Sequence, residues 1–177
     1  LGAATVTLNG GTLELEPIAS QVSGISARVF THGGNVNSDT ARIDFTQTAG
    51  SFAFDPNINY PANAVPVNTA VQWLGKIRIT TGGTYTFGIA SDDGSRLWID
   101  GVLLVNNDGA KGVLDTQGTV DLSDGLHDVR VDYIQTGGGS GVILRYSGPD
   151  QPAYGVVPGN VLYQAETNEL AGASNAV

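Results

Sequence analysis

The chain has 177 residues, enough for one domain with a core of its own and without covalent staples. It has no cysteine, which excludes disulfides, thiolate metal sites and thiol nucleophiles. Its net charge of −9, with only eight scattered basic residues, speaks against nucleic acid as a partner. A hydrophobic content of 41% against 14% charged residues fits a globular chain, and no apolar run approaches the roughly 20 residues that span a bilayer.

Residues 1–16 (LGAATVTLNGGTLELE) read as strand, turn, strand, a pattern similar to the repeats of autotransporter-type β-helical passengers. Residues 17–23 read as a linker. Position 1 is not Met, so the chain is expected to be a piece of a longer or processed protein. Residues 24–163 carry a dense strand pattern of short apolar alternations bounded by Gly, Asn, Asp and Pro. His32 falls in a loop over Thr31–Ser38, and Trp73 sits in a strand as a core residue. Ile77 and Ile79 alternate with Lys76 and Arg78. After Gly82-Gly83, Tyr85, Phe87 and Ile89 alternate with Thr86, Gly88 and Ala90. Asp100-Gly101, between Leu97-Trp98-Ile99 and Val102–Val105, favours a tight hairpin. Trp98 points away from the face that Leu97 and Ile99 share; packing is its expected role, with stacking on a sugar the lesser alternative. Asn106-Asn107-Asp108-Gly109 reads as a turn, since it lacks the acid spacing of an EF-hand cation loop. Further on, Val129, Val131 and Tyr133 alternate, as do Val142, Leu144 and Tyr146, across the glycine-rich loop Gln135–Gly141. Residues 164–177 form a polar tail or the start of a following segment. About ten short strands with turns between them predict an all-β fold, an antiparallel two-sheet β-sandwich.

The chemistry concentrates at Asp92-Asp93-Gly94, where one predicted strand ends and another begins. Neighbouring carboxylates in extended backbone point apart. A cis peptide between them would turn both to one point, and a shared calcium ion, which takes six to eight oxygens in irregular geometry, is the natural partner. Asp-Asp-Gly also makes an ordinary turn with no ion at all.

The segment Gly83–Gly101 resembles the signature of the anthrax protective-antigen-type module, a fourteen-kilodalton domain shared by toxins, glycosidases and adhesins. Gly24–Phe30 is similar to that family's opening strand and Val71-Gln72-Trp73-Leu74-Gly75 to its Trp-x-Gly strand. Gly125-Leu126-His127 followed by Tyr133 resembles its Gly-x-His strand. Tyr146-Ser147-Gly148-Pro149 with Val157-Pro158 resembles its close. The resemblance implies a β-sandwich over residues 24–163. In lectin members the tandem acid is a cis-bonded calcium pair, which maps onto Asp92 and Asp93, with a second loop adding oxygens. Here that loop is Gln135–Gly141, and it holds no Asp or Asn. Asp92, Asp93 and Gln135 are therefore the expected metal ligands. Asp92, Asp93, Gln135, Thr136, Gly137 and Ser140 are the expected contacts to a sugar.

Two histidines without a partner at ligand spacing exclude a transition-metal site; His127 is expected to be structural. Glu14, Glu16, Glu166 and Glu169 all lie outside the central module, no Gly-x-Ser-x-Gly frame surrounds Ser140, and no phosphate loop appears. The expectation is a non-enzymatic module, monomeric within a larger secreted or cell-surface protein, that binds extracellular glycans through calcium. The alternative is a spacer module that keeps the fold and binds no sugar.

Overall fold

The structure, a computed structural model, describes residues 4–8, 11–15, 22–33 and 36–164. β1 (Ala4–Leu8) and β2 (Gly11–Leu15) pair antiparallel as a separate two-stranded unit. The expected linker up to residue 21 and the expected tail beyond Gln164 lie outside the described residues.

Two antiparallel sheets form the body. The larger runs β4 (Ser51–Asp55), β3 (Ile25–Thr31), β6 (Thr69–Ile79), β11 (Gly125–Gln135), β8 (Gly94–Ile99) and β9 (Val102–Asn107) from edge to edge. β14 (Leu162–Gln164) pairs with the upper part of β6. The smaller runs β10 (Leu114–Leu122), β7 (Gly83–Asp92), β12 (Gly141–Gly148) and β13 (Gln151–Val156), with the two-residue β5 (Asn59–Tyr60) also pairing with β12. This is the antiparallel two-sheet β-sandwich that the alternation predicted.

The alternating residues face each other between the sheets. Tyr85, Phe87 and Ile89 of β7, with Leu144 and Tyr146 of β12, meet Trp73, Ile77, Leu97, Val131 and Tyr133 of the opposite sheet, and all of them are buried. Each such side chain removed from water contributes about 1.5–3 kcal/mol. The rings of Tyr85 and Tyr146 stack at 6.4 Å, and Trp73 lies 6.4 Å from Tyr133. Asp100 and Gly101 both have positive φ, 48° and 75°, as the tight β8–β9 hairpin needs. A smaller apolar cluster on the outer face of the larger sheet joins Phe30, Ala70 and Ile134 to Phe45 and Ala49 of the β3–β4 connection.

The order of pairing determines where chemistry can occur. β7 ends in the smaller sheet at Asp92, and β8 begins in the larger sheet at Gly94. β11 ends in the larger sheet at Gln135, and β12 begins in the smaller one at Gly141. Because β7 pairs with β12 and β8 with β11, the two inter-sheet crossings lie side by side at one end of the sandwich.

Candidate functional site

The Asp92–Asp93 peptide bond is cis, the arrangement that the family resemblance implies. Asp93 is buried, 4% exposed. Its Oδ2 accepts from the Thr136 amide at 2.9 Å and from the Thr136 hydroxyl at 2.6 Å, and its Oδ1 accepts from the Lys111 amide at 3.3 Å. Thr136 spends its one hydroxyl proton on Asp93, so Ser38 Oγ, 2.6 Å away, donates to Thr136 Oγ1. Ser38 reaches the site because residue 94 is glycine: a Cβ there would overlap the Ser38 carbonyl oxygen.

Asp92 is half-buried, and its carboxylate has no hydrogen-bond donor among the described residues. Its backbone carbonyl accepts from the Tyr133 hydroxyl at 2.6 Å. Burial and the neighbouring Asp93 charge raise its pKa above the usual carboxylate value, and the Lys111 ammonium offsets part of that rise. A side chain on Gly139 would begin 3.0 Å from Asp92 Oδ2 and 3.9 Å from Asn63 Oδ1, so both oxygens flank the open side of this glycine. Asn63 stands on the exposed 61–68 connection with φ of 66°.

Two residues expected in the site take other places. Gln135, expected as a ligand, is fully buried beneath its loop. Its Nε2 donates to the carbonyls of Gly137 at 3.1 Å and Gly139 at 2.7 Å, and its Oε1 lies 3.0 Å from the Tyr133 hydroxyl. The two carbonyls fix this amide orientation, since a reversed amide would set oxygen against oxygen. Ser140, expected as a sugar contact, is also buried. Its hydroxyl accepts from the Val65 amide at 3.0 Å and its carbonyl from the Asn63 amide at 2.6 Å, which ties the glycine loop to the segment bearing Asn63. Thr136 is half-buried on Asp93, while Gly137, Gly138 and Gly139 are exposed. Trp98 lies on the outer face of the larger sheet, with the Arg130 guanidinium covering one face of its ring at 4.3 Å. His127 is structural, bonded to Asp100 at 2.7 Å and to the Ser123 carbonyl at 3.1 Å.

The charged donors number two, for among the described residues no group of three or more Asp, Glu, His or Cys side chains is placed to hold a metal. The available set is oxygen only: the open Asp92 carboxylate, the remaining lone pairs of Asp93 and the Asn63 amide oxygen. Such a set fits a hard cation such as calcium and does not suit a thiolate- or imidazole-seeking metal. Sequence reading missed Asn63, Ser38, Lys111 and the Tyr133 hydroxyl. Only Tyr133 carried a usable signal, as a polar-tipped core residue two positions before the loop.

Comparison with known proteins agrees with this architecture. The chain is 29% identical over 132 residues to anti-sigma-I factor RsgI3 of Acetivibrio thermocellus, a match that covers 73% of this chain and 20% of that protein. It is similar in structure to an anti-sigma factor domain-containing protein from Clostridium clariflavum, with a TM-score of 0.67 at 27% identity over 82% of this chain and 48% of the other. It is also similar to the PA14 sugar-binding domain of an RTX adhesin, with a TM-score of 0.69 at 18% identity over 81% of this chain and 99% of that one. The chain thus spans about a fifth of the curated relative and about half of the first of these structures. The model of the PA14 domain matches residues 21–160, most of the sequence, and the chain belongs to the PA14 domain family.

Proposed function

We propose that this module binds carbohydrate through a calcium ion held by Asp92 and Asp93, as a non-catalytic recognition unit of a larger secreted or surface protein. The observation that carries the reading is the Asp92 carboxylate, free of donors among the described residues, joined by a cis peptide to a second acid and lying near Gly139 as the Asn63 amide oxygen does. A calcium ion would supply a centre that orients neighbouring sugar hydroxyls. Asp92 and Asp93 would hold it, Asn63 and the exposed Gly137–Gly139 stretch would border the sugar, and Thr136, Gln135 and Tyr133 would keep the loops in place. The likeness to an adhesin domain described as sugar-binding supports the ligand class. Two charged ligands make for weak single-site binding, which several copies would convert to useful avidity.

A second reading, a spacer that binds no sugar, is favoured by a different observation. Both Asp93 oxygens already accept hydrogen bonds, and the Gly137 and Gly139 carbonyls are turned to Gln135. Under either reading, the consequence of recognition is set by the rest of the protein, since similar modules stand in anti-sigma factors and adhesins alike.

Glycan-array binding with calcium and with chelator separates the two. The lectin reading expects calcium-dependent signals that vanish in Asp93→Asn while the far-UV spectrum is unchanged. A folded protein that binds calcium and no glycan would leave the spacer.

A further inference from the structure

The Asn106–Gly109 stretch, a turn by its sequence, has a second property in the fold. Lys111 leaves this loop and folds back so that its ammonium lies among three backbone carbonyls: Asp93 at 2.9 Å, Gly109 at 3.2 Å and, shortest of all, Asn107. An ammonium has three N–H donors and no acceptor, so the carbonyls account for all of it. The cage is stiff. Asn107 is buried, and its side chain donates to the Ile89 and Leu114 carbonyls and to Ser91 Oγ while accepting from Thr116. The Asp93 carbonyl is also held by the Ser91 hydroxyl at 2.8 Å, and the Gly109 amide by the Ser38 carbonyl at 2.9 Å. Backbone carbonyls that converge on one point are the donor set of a cation site.

We propose that residues 107–111 form a cation-binding loop whose ion is the chain's own Lys111 ammonium, and that this tethered cation is a positioning residue that fixes Asp93 from its backbone side. The inference does not depend on sugar binding. It assigns Lys111 a place that a free monovalent cation of similar size, ammonium or potassium, would take if the side chain were removed. The Asp93 carbonyl faces this cation while its carboxylate faces Thr136, so one residue is held on both sides.

Removing the side chain tests this. In chelator, Lys111→Ala is expected to melt roughly 4–8 °C below the parent, the scale of losing hydrogen bonds to a charged group in a domain of this size. Ammonium or methylammonium chloride should restore at least half of that loss, and tetramethylammonium chloride at equal concentration should not. Parent-like melting of the variant, or equal action of the small and bulky cations, would overturn the proposal. Should Lys111→Ala fail to fold, Lys111→Met, which fills the space without charge, is expected to be destabilised and insensitive to ammonium; parent-like melting of this variant would overturn the proposal equally. The unsubstituted chain gives an independent readout. Amine acetylation should modify Lys111 more slowly in the native chain than in the urea-unfolded chain by on the order of tenfold, since the bonded ammonium must first leave its carbonyls. Equal rates in the two states would place the ammonium outside the cage.

Discussion

Thr136→Val gives the sharpest test of how the acid pair is held. The substitution preserves shape and the backbone amide, and it removes one hydroxyl that bridges Asp93 Oδ2 and Ser38 Oγ, each at 2.6 Å. Asp93 is 4% exposed and Ser38 1% exposed, so water cannot readily replace either contact. A hydrogen bond to a charged group contributes about 1.5–3 kcal/mol, and a buried hydroxyl left without its acceptor costs about 1–3 kcal/mol. Some local relaxation brings the expected loss to about 2–4 kcal/mol. For a domain of this size, each kcal/mol moves the midpoint by about 2–4 °C, so the variant should melt roughly 5–15 °C lower in chelator. Thr136→Ser keeps the hydroxyl and should lose less than about 1 kcal/mol. Urea unfolding should show the same order with an unchanged slope, since the exposed surface is the same. If Thr136→Val melted with the parent, the Thr136 hydroxyl would not be what secures Asp93.

Acid should weaken calcium binding before it unfolds the chain. The Asp92 pKa is raised by burial and by Asp93, so protons compete for this carboxylate at a higher pH than for an ordinary aspartate; calcium titrations at falling pH should lose affinity there, and pH-independent affinity would argue against Asp92 as a ligand. In chelator the sign reverses for stability. A carboxyl whose folded pKa is raised penalises the fold above that pKa, and the penalty is relieved as pH falls through it toward the unfolded value near 3.8. At the alkaline end, burial pushes Tyr85 and Tyr154 up to about 12. Unfolded tyrosines ionise near 10, so their contribution is full below that pH and is lost as pH climbs from about 10 to 12. Absorbance at the phenolate band should therefore rise together with loss of β structure.

The interior of the fold could be read from alternation. Tyr85, Phe87, Ile89, Val131, Tyr133 and Leu144 all lie at zero exposure, because a period of two puts one set of side chains on the inner face whatever the order of strands. The cis geometry of the acid pair was legible through the family resemblance rather than from the residues alone, since Asp-Asp-Gly by itself also makes an ordinary turn. What surrounds the pair was not. Gln135 and Ser140 looked available because they stand in a glycine-rich loop, yet both are turned inward: Gln135 by the carbonyls of Gly137 and Gly139, which only the folded loop turns toward it, and Ser140 by the distant 63–65 backbone. Asn63 lies 29 positions from Asp92 and Ser38 lies 98 from Thr136. The pairing of β7 with β12 and of β8 with β11 brings the Asp92–Asp93 and Gln135–Gly141 crossings to one end of the sandwich, and β5, paired with β12, delivers the segment that bears Asn63. Lys111 read as one scattered base, because a backbone cage leaves no trace in residue types.

Calcium binding itself is the most direct test of the central claim, that Asp92 and Asp93 form a cation site. Calorimetric titration and thermal melting of the chelator-treated chain should show one calcium per chain. At a hundredfold excess over the dissociation constant the fold should gain about 2.7 kcal/mol, a rise of roughly 5–11 °C in the midpoint, and Asp92→Asn should abolish both signals. A midpoint that stays fixed from chelator to saturating calcium, with no heat of binding, would contradict it.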